Sequence, residues 1–101
     1  MDALQSIMNW YEEQCDGDWE HQHGIKIETL DNPGWTIQID LTDTELEGRG
    51  FQKIKVERAE ADWIHCKLEN NVFSGACGPK NLIELLEIFR KWASAQVEDQ
   101  D

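Results

Sequence analysis

The sequence predicts an α+β fold, a two-layer sandwich in which an N-terminal and a C-terminal helix cover one face of an antiparallel sheet of about four strands, in the order α-β-β-β-β-α. Three observations lead there. Segments near both ends carry apolar residues at spacings of three and four, which gives a helix one buried stripe. The segments between them alternate apolar and polar residues, so each forms a strand with one apolar face. The links between those strands are short, which favours antiparallel neighbours and, most simply, a meander. With 101 residues the chain suffices for one two-layer core, expected over residues 1–96, with 97–101 as an acidic disordered tail.

Residues 3 to 15 form the first helix. Asp2 and Gln5 fit a capping box, and Leu4, Ile7, Met8, Tyr11 and Cys15 share a stripe, with Trp10 off its centre. Gly17 can take the left-handed backbone that ends a helix, and Asp18 to His23 make a polar connection. A hairpin follows. Ile25 and Ile27 on its first arm and Trp35, Ile37, Ile39 and Leu41 on its second give it one apolar face, while Asn32-Pro33-Gly34 supplies the fixed φ and the freedom of a reversal. Thr42 to Gly50, with its acids and two glycines, reads as a loop.

Gln52 to Arg58 is the third strand, with Ile54 and Val56 inward. Ala59 to Asp62 turns, and Trp63 to Glu69 is the fourth, with Ile64, Cys66 and Leu68 on its apolar side. Asn70 to Gly78 reads as a loop holding Phe73, and Pro79 stands just inside the last helix, where a missing amide hydrogen is tolerated. That helix buries Leu82, Leu85, Leu86, Phe89 and Trp92 and wets Glu84, Glu87, Arg90 and Lys91. The expected core is Ile25, Ile27, Ile37, Ile39, Ile64, Leu68, Leu82, Leu85, Leu86 and Phe89. The open sheet face should carry Lys26, Glu28, Gln38, Asp40, Lys55, Glu57, His65 and Lys67.

The formal net charge is -12, and discounting Glu98, Asp99 and Asp101 still leaves -9, so the acidity belongs to the folded part. Such a surface repels nucleic acid, and it suits solubility or the attraction of a basic protein that itself handles nucleic acid. Cys15, Cys66 and Cys77 are odd in number and lack ligand spacing, which points to reduced thiols. The opening MDALQSIMNWYEE has no basic region, and no apolar run approaches the roughly 20 positions of a membrane span. A cytoplasmic location and no membrane partner are the default expectation.

Cys15, Asp16, Asp18, Glu20, His21 and His23 gather metal-capable atoms, but no distant His or Cys completes a site, so a charged turn is the favoured reading and no metal or cofactor is expected. Cys77, within Ser74-Gly75-Ala76-Cys77-Gly78-Pro79, stands before a helix whose dipole would lower a thiol pKa. Its neighbourhood offers only Lys80 and an unplaced His65 as basic partners, which favours a small loop residue over a nucleophile. No Ser-His-Asp order, P-loop or dinucleotide fingerprint is present. Five tryptophans exceed the evident needs of the core, and Trp63 has the parity of the open face.

The run Gln14-Cys15-Asp16-Gly17-Asp18-Trp19-Glu20-His21, continued by Gly24 through Trp35, resembles the Imm53 family of bacterial immunity proteins. The likeness extends to Asp62-Trp63-Ile64 and to Phe73, Gly78-Pro79, Asn81-Leu82 and Trp92. It implies an antitoxin of a polymorphic toxin system, a cytoplasmic protein that binds and neutralises the toxin domain made by its own cell or delivered by kin. Glycine is more usual in that family at the position of Cys77, so the resemblance implies no catalytic thiol. The partner would be a cognate toxin domain, basic and of the kind a nuclease is. Its expected contacts are Asp16, Asp18, Trp19, Glu20 and His21, on the approach to the hairpin, with Trp63 and His65 on the open face. A small thiol-dependent enzyme of the sulfurtransferase kind using Cys77, and a regulatory subunit, are the competing classes.

Overall fold

The computed structural model describes residues 2–98. Helix α1 (Ala3–Gln14) and a single turn α2 (Trp19–Gln22) lead into strands β1 (Ile25–Leu30), β2 (Gly34–Asp40), β3 (Ile54–Ala59), β4 (Asp62–Glu69) and β5 (Val72–Cys77), and helix α3 (Leu82–Glu98) follows. The α+β class with a helix at each end is as expected. Residues 97 and 98 continue α3, and the rest of the expected tail, 99–101, lies outside the described residues.

The sheet has five antiparallel strands in the order β1-β2-β5-β4-β3, so it is no meander. Val72 to Cys77, expected as a loop, is its central strand. Asn70 and Asn71 both take left-handed φ values, 54° and 63°, which closes a tight hairpin between β4 and β5. Phe73, Gly75 and Cys77 then face the helices, buried, while Val72, Ser74 and Ala76 face the other way. Gly75 has a packing reason, because a Cβ there would meet a Leu85 methyl at 2.6 Å. At Gly34 a Cβ would strike the backbone carbonyl of Cys77, so β2 and β5 close on each other only through glycine.

Both helices pack on the face that carries Ile37, Ile39, Ile64 and Cys66, where Phe89 meets Trp10 and Phe73 edge to face. Leu41 and Leu46, from the segment after β2, are fully buried and plug one end of the sandwich. Of the expected core, Ile37, Ile39, Ile64, Leu85, Leu86 and Phe89 are buried, and Ile25, Leu68 and Leu82 sit at its margin. Ile27 is 40% exposed.

Helix α1 is turned relative to expectation. Asp2 caps it as expected, accepting from the Gln5 amide at 2.7 Å. The residues it buries, however, are Ala3, Ile7 and Trp10, leaving Leu4, Met8 and Tyr11 exposed. The α3 start also differs, since Asn81 accepts the first helical bond from the Leu85 amide and Pro79 precedes the helix. Arg58 ties the β3–β4 turn to that start through Asp62 and Glu84, both at 3.0 Å or less.

Four of the five tryptophans act as staples. Their indole N–H groups donate to the Glu45 carboxylate (Trp10), and to the carbonyls of Thr42 (Trp19), Pro79 (Trp35) and Gly50 (Trp92), at 2.8 to 3.1 Å. Each ties a buried or partly buried ring to a connecting segment, which satisfies the indole donor and fixes a loop with one bond.

Candidate functional site

The conspicuous loop between α1 and β1 is built to hold itself. Asp16 accepts from the amides of Asp18 and Trp19, both at 2.9 Å, and Glu20 reaches back to accept from the amides of Asp16 and Gly17. Gly17 takes φ 98° within this loop, whereas α1 itself ends at Gln14 on an extended Cys15 and not on a left-handed Gly17 as expected. The Trp19 and Asp18 amides hold the Asp16 carboxyl below the usual range, and the amides of Glu20 itself, Asp16 and Gly17 do the same for Glu20. Trp19 is only 5% exposed and lies edge-on to Trp10 and Tyr11. This ring belongs to the core, and little of it is open to a partner. Asp16, Asp18 and His21 are exposed, and Glu20 is half-buried.

The metal-capable side chains do not converge. Cys15 donates its thiol to the Tyr11 carbonyl, and His23 lies 2.7 Å from the Asp40 carboxylate. Burial raises the Asp40 pKa, but the Thr42 amide and His23 outweigh it and the net shift is downward. Among the described residues no group of three or more His, Cys, Asp or Glu is arranged around a metal position.

Cys77 ends β5 and is fully buried, with four residues between it and the Leu82 start of α3. The placement at a helix N-terminus is thus corrected, because the segment extends as a strand before the chain turns. Burial raises the Cys77 pKa against a lowering contact from the Trp35 backbone, and burial pushes Cys66 up to about 12. Neither thiol has the accessible, thiolate-favouring setting of a nucleophile.

Trp63 and His65 lie on the open face, their rings 5.1 Å apart, and His65 reaches Glu57 at 3.1 Å. Around them the face is mixed in charge, with Lys55 beside Glu57 and Lys67 beside Glu69. The two expected contact regions are therefore separate: the loop stands at the β1 side and Trp63 with His65 on the reverse of the sheet near β4.

A surface that the sequence reading missed lies between α1 and β1. Leu4, Met8 and Tyr11 form one wall of an open groove, and Ile25 and Ile27 form the other, with His23 and Gly24 at its end. Leu4 and Met8 are 53% and 56% exposed, the opposite of what an apolar stripe on a short helix suggests. The charge is as one-sided as the apolar surface. The first 48 residues, which make α1, α2, β1, β2 and the start of the next loop, hold 12 acids and one lysine. The remaining residues hold 9 acids and 8 Lys or Arg, close to neutral.

Fold and surface together define a small acidic α+β sandwich with an open apolar groove beside its β1 edge. The family model described as immunity protein 53 matches residues 4–94, and the chain belongs to that family. No curated protein and no solved structure gives a match. Among the described residues no helix is long and apolar enough to cross a membrane.

Proposed function

We propose that this protein is an antitoxin that neutralises a cognate toxin domain of a polymorphic toxin system by direct, stoichiometric binding. Membership of the immunity protein 53 family over residues 4–94 carries the reading. The concentration of acid in the first half of the chain supports a basic toxin, such as a nuclease, because opposite charge speeds encounter and rejects other partners. The proposed contact includes the exposed Asp16, Asp18 and His21 and the half-buried Glu20, with Trp63 and His65 as a separate candidate on the reverse face.

The test is titration of the purified protein against the toxin domain encoded beside its gene, with heat and residual toxin activity as readouts. A one-to-one complex that abolishes activity is expected. Asp18→Lys should weaken it, since the Asp18 side chain plays no part in the loop's own amide bonds. Greater loss from Trp63→Ala than from Asp18→Lys would move the contact to the open face. Cys77→Ala should neutralise as the parent does, and loss of protection with the fold intact would revive the thiol-enzyme reading.

A further inference from the structure

We propose that the groove between α1 and β1 receives an extended segment of the toxin, which pairs with β1 as an added strand and alternates apolar residues with Lys or Arg. This rests on the immunity reading and names where and how the partner docks.

The backbone makes the first case. β1 is an edge strand, regularly paired with β2 along its whole length. The Asp40 amide donates to Gly24, so ladder alternation turns Lys26, Glu28 and Leu30 toward β2 and leaves the N–H and C=O groups of Ile25, Ile27 and Thr29 on the open side. Natural edges are commonly blunted by proline, bulges or repeated lysine. β1 has none of the first two and a single lysine, whereas the opposite edge, β3, has a register break at Glu57/Ala59 and carries Lys55 and Arg58. One edge is defended and the other is open.

Side chains then select the occupant. An added strand beside β1 would direct every second residue to the helix side, against Leu4, Met8 and Tyr11, where apolar groups fit. The intervening residues would project on the reverse side beside Lys26 and Glu28, with Asp31 in the adjoining turn, in a half of the chain that holds 12 acids and one lysine. Lys or Arg suits those positions. A second copy of this chain suits them poorly, because it would bring together two halves that each hold 12 acids and one lysine.

The experiment uses the full chain and the toxin domain encoded beside its gene, comparing the parent with Ile27→Glu, Met8→Glu and, as a control of the same chemistry elsewhere, Ile83→Glu on α3. All three side chains are exposed, so circular dichroism and melting should show intact folds. The groove variants should bind about tenfold or more weakly, and Ile83→Glu should bind as the parent does. Amide exchange at Ile27 and Thr29 should slow in the complex. Parent-like binding by both groove variants, equal loss from Ile83→Glu, or unprotected Ile27 and Thr29 amides in a formed complex overturns the groove while leaving the immunity reading in place. Failure of the parent to bind removes both. Concentration-dependent self-association that Ile27→Glu abolishes would give the groove to a second copy instead.

Discussion

Asp16 sits in the most conspicuous motif of the sequence, yet its exposed carboxylate is taken up by its own loop, at the amides of Asp18 and Trp19. A motif of this kind is legible without being interpretable, since the same acids that suggest a basic partner are also the residues that close a tight loop. What the sequence could not reveal is direction, because an Asp that accepts from its own loop and one that faces a ligand read alike. Its folded pKa lies below the ordinary value, so the stabilisation from its charge is complete above the usual carboxylate range and is lost as pH falls through the folded value. The same sign applies to Glu20 and Asp40. Stability is therefore expected to fall as the solution is acidified below about pH 4. Asp16→Asn, which keeps the side chain's acceptor oxygen but not its charge, should show a shallower dependence of melting temperature on pH, and an unchanged slope would deny Asp16 this role.

At the scale of elements, β1, β2, β3 and β4 were legible because each alternates cleanly, and α3 because its stripe is continuous. β5 was not. After Val72 and Phe73 its residues, SGAC, are small, and at Gly75 the reason is that Leu85 of α3 presses on the strand, so packing suppressed the bulky alternation by which strands are read. The Asn70-Asn71 pair was the available signal, since Asn is among the few residues that tolerate the left-handed φ a two-residue hairpin turn needs. The turn of α1 was hidden for another reason: its apolar arc is wider than its buried arc, and periodicity does not say which part faces inward. These close approaches set an order of mutational cost. Gly34→Ala opposes a new methyl to backbone and should cost about 3 kcal/mol, while Gly75→Ala opposes it to the end of Leu85 and should cost about 1 kcal/mol. Chemical denaturation of the two variants checks the ranking, and the reverse order would show that the Leu85 side chain cannot give.

For the molecule as a whole, charge and apolar surface should act on different steps of binding. Exposed acids are screened beyond about 8 Å at physiological salt, so raising ionic strength should slow association with a basic toxin domain and leave dissociation nearly unchanged. Surface-immobilised kinetics across a salt series would show this, and a salt-independent association rate would remove the acidic half from the encounter. The strand order adds a constraint of another kind. β5, the middle of the sheet, is synthesised after all four strands it unites, and α3 comes later still. While the ribosome is short of residue 77, the nascent chain can hold two hairpins but no sheet, and the β1 edge has no completed layer behind it. In the proposed role, protection begins when the last strand slots between its neighbours, so a cell translating toxin and antidote together is safe only if this insertion outpaces the toxin's own folding.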